Sequence, residues 1–328
     1  MIRSFLWKPG KGVRAIDGIA DFDSLFADPE TVLWIDMTDP TDEESFILTN
    51  DFHFHPLAIE DVIEEEDAIT EFGRSKIDDY RDYLYVEFQI ADYIGIEQGI
   101  DLQEIHLFLT RNTLVTVHDT NHKVFTHLRN RALRDERLMS RGADFLLHIM
   151  IDTIVDNYNS ILEFFEKSVD EIEKDVLTEP DEDTVKTIFT LRRDIYELKR
   201  VALPQREIMG QISRRQFPMI SDRASFYFND VHDHLTRIIE LSESHRDMLI
   251  SALEVYFSHV STKTNEIIKI LTIFTVILMP PTFLVGLWGM NFRHMPELEW
   301  EYGYLVFWVI IVLITVIMIL FFKKKKWL

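Results

Sequence analysis

The chain has 328 residues and a formal net charge of −22, with 34 Lys and Arg against 56 Asp and Glu. This charge balance argues against a nucleic-acid-binding face, which must be basic, and the absence of cysteine excludes disulfides, thiolate zinc sites and cysteine nucleophiles. Residues 271–328 carry a net charge of +2, so residues 1–270 carry −24. The sequence therefore consists of an acidic N-terminal part, residues 1–270, and a short, mainly apolar C-terminal part, residues 271–328.

The first 140 residues have the pattern of a mixed α/β domain. Helices are predicted to start at Thr41, where Glu44 completes a capping box, and at His55-Pro56. The last two predicted strands are joined by Arg111-Asn112, a short hairpin turn. The predicted strands are Ile2–Trp7, Val32–Asp36, Tyr83–Ile90, Glu104–Thr110 and Thr113–His118.

From Asp144 onward the pattern is helical. A first helix is predicted over Phe145–Val176, followed by a turn over Leu177–Asp183, where Asp183 is the predicted cap. A second helix is predicted to end near Arg206, with Pro204 kinking or ending it. A third runs from about Asp222 to Trp288, roughly 100 Å if unbroken. A helix of this length needs partners to bury its apolar face, which predicts a bundle or an oligomer.

Two long runs near the C-terminus contain no charged residue. Ile270–Phe292 has 23 residues and Tyr302–Phe322 has 21, and each exceeds the roughly 18–20 residues needed to cross a bilayer. Lys323–Lys326 follow the second run and predict a cytoplasmic C-terminus by the positive-inside rule. Two spans then place the N-terminal 270 residues in the cytoplasm as well, and residues 1–12 do not resemble a secretory signal.

One face of the first predicted span is small and polar. Its members recur at spacings of three and four residues, and they are Thr272, Thr275, Met279, Thr282 and Gly286. Such a stripe either packs against a neighbouring helix or lines water, and spacing alone leaves both interpretations open.

A motif follows the first span directly. Gly289-Met290-Asn291 lies at its outer end, Met295-Pro296-Glu297-Leu298 comes next, and the chain closes with four lysines, Trp327 and Leu328. Together with Thr264-Asn265-Glu266 and Met279-Pro280, this combination resembles the CorA family of divalent-cation channels. Trp288 departs from the family, which usually has Tyr there; both are interfacial aromatic residues.

The resemblance implies a funnel-shaped homopentamer with three regions per subunit. These are a cytoplasmic α/β domain over 1–143, long cytoplasmic helices over 144–269, and a transmembrane hairpin with a basic tail over 270–328. The first span of each subunit would surround a central pore in the inner or plasma membrane. The residues matching pore-facing or gate positions are Asn265, Ile268, Leu271, Thr275, Met279, Thr282 and Gly286, and those matching the selectivity filter are Gly289, Met290 and Asn291.

The resemblance also implies a regulatory metal site between cytoplasmic domains of adjacent subunits. The four matching carboxylates are Glu60, Asp61, Asp152 and Asp230. Oxygen-only ligands suit a hard cation such as Mg²⁺. Without the resemblance, the acidic run Glu60–Asp67 is interpreted as a solvated helix face. The acidic residues after the first span, Glu297, Glu299 and Glu301, fit two interpretations equally well: a solvated loop, or a loop that raises the local concentration of cations.

The expected function is passive, Mg²⁺-gated magnesium influx, with Co²⁺ and Ni²⁺ as further candidate ions. A zinc transporter of the related ZntB branch is the alternative, although that branch departs from the Gly-Met-Asn motif, and a membrane-tethered oligomeric scaffold is a third. The histidines of His53-Phe54-His55 and His232-Asp233-His234 are interpreted as surface or interface residues. A metal shared by His232 and His234 is not expected, because side chains two apart on a helix point to different faces. Gly10-Lys11-Gly12 lacks the pattern of a phosphate loop, so neither an enzyme nor nucleotide coupling is predicted.

Overall fold

The structure is a computed structural model that describes residues 1–16, 28, 30–63, 75–120, 122–178, 181–214, 217–291, 293, 295–296 and 299–327. The chain divides into two compact units, Met1–Leu253 and Glu254–Leu328. The three regions predicted over 1–143, 144–269 and 270–328 stay predictions. Glu64–Asp67 of the acidic run, Glu179 and Pro180 of the predicted turn, and Glu297 of the outer loop lie outside the described residues.

The first unit contains a seven-stranded sheet in the order β2-β1-β3-β7-β6-β5-β4. β3 and β7 pair in parallel and the other neighbours pair antiparallel. The strands are β1 (Ile2–Lys8), β2 (Gly12–Ile16), β3 (Val32–Thr38), β4 (Lys76–Asp79), β5 (Leu84–Gly95), β6 (Gly99–Leu109) and β7 (Thr113–His118).

All five predicted strands are confirmed, including the hairpin that joins β6 to β7. The sequence analysis missed β2 and β4, which are the two edge strands of the sheet. β4 has the sequence Lys-Ile-Asp-Asp, so its composition does not favour a strand. Its backbone pairing with β5 fixes its conformation instead.

The two faces of the sheet are covered by different helices. α1 (Asp42–Asn50) and α2 (Pro56–Ile63) pack on the face that carries Leu33, Ile35 and Met37, and Leu48 and Phe54 complete this core. The capping box predicted at Thr41 and Glu44 is present. The opposite face is covered by α3 (Lys123–Arg134), which the sequence analysis missed, and by the long helices of the first unit.

The long helices follow in chain order after a 3₁₀ turn over Glu136–Leu138. They are α4 (Ala143–Thr178), α5 (Glu182–Arg214) and α6 (Asp222–Trp288). Asp181, not Asp183, caps α5, because its Oδ1 accepts a hydrogen bond of 2.8 Å from the Thr184 amide.

The predicted end of the second helix near Arg206 is wrong, since α5 continues past Pro204 to Arg214. The residues beyond Pro204 that face the core are fully or almost fully buried, namely Ile208, Met209 and Ile212. Their packing keeps the helix intact despite the hydrogen bond that the proline removes.

α6 has 67 residues and is unbroken from Asp222 to Trp288, as predicted, with Pro280 and Pro281 inside it. α7 (Gly303–Lys324) follows and completes the second unit. Among the described residues, α6 and α7 are the two helices long and apolar enough to cross a membrane.

Candidate cation pathway and cation-binding cluster

Within the second unit, one face of α6 packs against α7. Ile273 is only 5% exposed, and the Trp288 ring lies 5.3 Å from that of Phe307 on α7. Ile277 and Leu284 are half-buried on the same face, because residues four or seven apart lie on one side of a helix.

The predicted pore residues lie on the other side of α6. Met279 is 70% exposed, Leu271 66% and Ile268 54%. Asn265, Thr275, Thr282 and Gly286 are exposed too. Within the described residues this face of α6 is therefore exposed, as are its flanking residues Phe274, Leu278 and Phe283. The face that carries Ile273 is covered by α7.

Two threonine hydroxyls on the exposed face are hydrogen-bonded back to the helix. The Thr275 hydroxyl donates to the Leu271 carbonyl at 2.9 Å, and the Thr282 hydroxyl donates to the Leu278 carbonyl at 2.8 Å. The proton of each hydroxyl is used inside the helix, so the oxygen presents its lone pairs outward as an acceptor. These oxygens suit the water molecules of a hydrated cation.

The predicted filter residues begin directly beyond α6. The Gly289 amide donates to the Val285 carbonyl at 2.9 Å and ends the helical ladder. A Cβ atom on Gly289 would lie 3.1 Å from that same carbonyl oxygen, so the backbone approach favours glycine. Met290 and Asn291 follow as exposed residues outside the helix, so the side chain of Asn291 is accessible from outside the chain.

A second site is a cluster of acidic residues and one histidine in the first unit. Asp152 and Asp156 are one turn apart on α4, and His234 is on α6. One ligand atom from each lies within 4.8 Å of the others, a spacing that can hold a metal ion.

Asp230 extends this cluster. Its Oδ2 is 3.9 Å from His234 Nε2, and His234 Nδ1 is 4.0 Å from Asp152 Oδ1. Burial and then the neighbouring charge of Asp156 raise the pKa of Asp152. Among the ion pairs of the described residues, no Lys or Arg pairs with these three aspartates. The cluster, defined here as Asp152, Asp156, Asp230 and His234, has an excess of negative charge.

Glu60 and Asp61 form a separate group on α2. Asp61 pairs with Lys76 of β4 at 2.5 Å, and both acidic residues line a shallow pocket shared with Asp78, Asp79 and Tyr80. The structure thus brings Asp152 and Asp230 together within one chain and leaves Glu60 and Asp61 in another group. An intersubunit site that unites all four stays a prediction.

The sequence analysis assigned no metal-binding role to Asp156 or His234. The spacing of four residues between Asp152 and Asp156, and between Asp230 and His234, was the available signal. His232 does not join the cluster: it packs against α5, where a Cβ atom on Gly210 would lie 3.2 Å from its ring. The two histidines thus have separate surroundings, as their spacing predicts.

Comparisons with known proteins point to one family. The family model described as "CorA-like Mg2+ transporter protein" matches residues 29–324. The cobalt/magnesium transport protein CorA of Thermotoga maritima is 34% identical over 305 residues, which cover 92% of this chain and 85% of that protein.

Solved structures share the fold. The complete CorA magnesium transporter of Methanocaldococcus jannaschii matches with a TM-score of 0.85 at 22% identity, over 99% of this chain and 98% of that one. The ZntB cytoplasmic domain of Vibrio parahaemolyticus matches less well, with a TM-score of 0.60 at 13% identity, over 80% of this chain and 99% of that domain.

Proposed function

Because the chain belongs to the family of CorA-like Mg²⁺ transporter proteins, we propose that it forms a pentameric channel that conducts hydrated Mg²⁺ into the cell. The family consists of divalent-cation transporters and channels, so this chain is a transporter and not an enzyme. The resemblance found in the sequence is confirmed at this level. We propose the finer points: the identity of the transported ion, the pentameric assembly, the membrane in which the protein lies and its orientation in that membrane.

The observation that carries the proposal is the exposed face of α6. It combines threonine acceptors, thioether and small residues on the side turned away from α7. An anchor helix needs no such face, whereas a helix around an aqueous pore does. Five copies of α6 arranged around an axis would turn these residues toward one another.

The filter chemistry follows from how Mg²⁺ holds water. Mg²⁺ keeps a tight octahedral shell and loses it reluctantly. A ring of Asn291 carboxamide oxygens accepts hydrogen bonds from those waters without removing them, whereas a ring of carboxylates would hold the cation too tightly for rapid release. Ile268, Leu271 and Met279 supply apolar rings further along α6, which suit a gate that closes by excluding water.

The driving force is the membrane potential. A divalent cation that crosses 100 mV, negative inside, gains about 4.6 kcal/mol. This free energy is sufficient to drive influx without ATP hydrolysis.

The cluster of Asp152, Asp156, Asp230 and His234 is proposed as part of the regulatory site, with Glu60 and Asp61 supplied by a neighbouring subunit. A bound Mg²⁺ neutralises the carboxylates and holds adjacent subunits together in a closed ring. Loss of the ion restores the repulsion, which loosens the ring. Asp230 lies on the same helix as the pore residues, so the state of this site can reach the gate.

Co²⁺ is the second candidate ion for transport and for the regulatory site. Imidazole binds Co²⁺, Ni²⁺ and Zn²⁺ better than it binds Mg²⁺, and His234 places one imidazole among the carboxylates. The Thermotoga maritima relative is named for cobalt and magnesium. The same imidazole supports Zn²⁺, and the match to the ZntB domain is one of fold alone.

Uptake of Mg²⁺, Co²⁺, Ni²⁺ and Zn²⁺ into liposomes that contain the purified protein tests the proposal. Mg²⁺ uptake is expected in the wild type and is expected to fall at least tenfold in Asn291→Ala, with the pentamer intact by size-exclusion chromatography. Asn50→Ala makes the same change at an exposed position of α1 and should leave uptake unchanged. Wild-type uptake by Asn291→Ala would remove the filter role, and uptake of Zn²⁺ alone would favour the ZntB-like alternative.

A further inference from the structure

The C-terminal end of α7 is closed by a turn with a specific hydrogen-bond pattern. The Trp327 amide donates to the Phe322 carbonyl at 3.0 Å, and the Lys326 amide donates to the Lys323 carbonyl at 3.1 Å. These are the two bonds of a Schellman motif, with Lys325 as the C-cap. The Trp327 ring stacks on the Phe322 ring with centroids 5.9 Å apart, which is the apolar contact that accompanies the motif.

The residue in the left-handed position of this motif is unusual. Lys326 has φ = 56°, where helices generally use glycine because a Cβ atom is disfavoured there. Because this backbone conformation is strained for a lysine, we expect the Lys326 side chain to have a function. For the stability of the turn alone, glycine would be the more favourable residue at this position.

The turn concentrates positive charge. Lys323, Lys324, Lys325 and Lys326 are all exposed, and none of them belongs to an ion pair recorded between described residues. The C-terminal end of a helix favours cations, and this end presents four consecutive exposed lysines.

The same turn lies where the apolar sequence of α7 gives way to the lysines. It follows directly on the 22 residues of α7. Phe322 is 5% exposed under Trp327, while Phe321 is 53% exposed and Trp327 47%. Given the membrane location proposed above for α7, aromatic rings of this kind sit at the headgroup level of a bilayer, and the four lysines would then lie at the depth of the lipid phosphates.

We propose that this turn, Phe322–Trp327, is a binding site for anionic phospholipid headgroups. The lysines contact the phosphate and the negative headgroup, and the stacked Trp327 lies beside the upper part of the acyl chains. Carboxylates of another protein surface are the other possible partners, but the depth set by the aromatic residues favours lipid. The site is separate from the pore residues of α6, so it can be tested without reference to ion conduction.

Brominated lipids provide the test, with the full-length protein in phosphatidylcholine bilayers. The contribution of Trp327 to fluorescence quenching is the difference between the wild type and Trp327→Phe, a change that keeps an aromatic ring on Phe322. At equal mole fraction, brominated phosphatidylglycerol should quench Trp327 more strongly than brominated phosphatidylcholine. Each lysine removed should weaken this preference about fivefold, so the combined Lys323→Gln, Lys324→Gln and Lys325→Gln variant should lose most of it.

Lys326→Gly separates lipid binding from folding. It removes one charge and relieves the positive φ, so we expect an equal or higher melting temperature together with an approximately fivefold weaker preference for phosphatidylglycerol. Equal quenching by the two lipids, or an unchanged preference in Lys326→Gly, would overturn the proposal. Suppression of the preference by millimolar inorganic phosphate would assign the site to free phosphate instead. Equal quenching combined with a triple variant that dissociates the oligomer in detergent would assign the lysines to a protein partner.

Discussion

Asp36 and Asp152 are both acidic residues of the first unit, but among the described residues an arginine pairs with Asp36 and none pairs with Asp152. Asp36 is fully buried and pairs with Arg129 at 2.5 Å and with His118 at 3.0 Å, and the Thr116 hydroxyl donates to it at 2.8 Å. Burial favours its neutral form, but the hydrogen bonds and charges of these neighbours outweigh burial and hold the pKa of Asp36 below its usual value.

Asp152 has the opposite surroundings. Its closest charged neighbours are carboxylates and His234, and the pKa of Asp152 is raised by burial and by Asp156. The chain thus neutralises the buried carboxylate of Asp36 with its own side chains, whereas we propose that a dissolved cation neutralises the group around Asp152. Substitutions at Asp36 and at Asp230 alter the two groups separately.

The largest effect on stability is expected from Asp36→Ala. It removes the carboxylate that pairs with the guanidinium of buried Arg129, a residue that is 6% exposed, and this should lower the free energy of unfolding by about 3–5 kcal/mol. Chemical denaturation monitored by circular dichroism measures the change. Asp247→Ala removes an exposed pair with Arg246 and should cost at most about 1 kcal/mol; similar losses in the two variants would contradict a special role for Asp36.

The pH dependence of this contribution has a defined sign. Because the pKa of Asp36 is lower in the folded chain, its contribution is complete above the unfolded pKa of about 3.9 and is lost as the pH falls through the folded value. Asp36→Asn should remove this acid-dependent part. An unchanged acid transition in Asp36→Asn would contradict the pairing.

A smaller effect is expected at the uncompensated cluster. Asp230→Ala removes one carboxylate and should weaken Mg²⁺-dependent protection from protease about tenfold or more in Mg²⁺ concentration. Asp230→Lys places a cation of the chain where the metal would bind, and protection should then persist in chelator. Wild-type Mg²⁺ dependence in both variants would remove this cluster from ion sensing.

Local signals made much of the fold predictable. The capping box at Thr41 and Glu44 depends on residues three apart, and the absence of a helix breaker between Asp222 and Pro280 predicted α6. Pro204 misled the prediction because the burial of Ile208 and Ile212 keeps α5 intact, and this burial depends on distant partners. Edge strands such as β4 depend on pairing in the same way.

The candidate site was predictable to different degrees in the two units. Helical periodicity predicted the stripe of Thr272, Thr275, Met279, Thr282 and Gly286, and the family resemblance added Asn265, Ile268 and Leu271. All of these residues are exposed on α6. Asp156 and His234 come together only because α4 and α6 pack side by side, and 78 residues separate them in the chain. No local pattern joins such a pair, which is why the cluster was found only in part.

The measurement that tests the central claim most directly uses the absence of cysteine from the chain. Single cysteines at Thr275, Met279 and Thr282 report on the exposed face of α6, and Ile277→Cys and Leu284→Cys serve as matched controls on the face toward α7. In liposomes, a water-soluble charged thiol reagent should modify the first three variants and block Mg²⁺ uptake, while the two controls should stay unmodified and active. Block at Ile277→Cys and Leu284→Cys, with Thr275→Cys, Met279→Cys and Thr282→Cys unaffected, would show that this face of α6 does not line the pore.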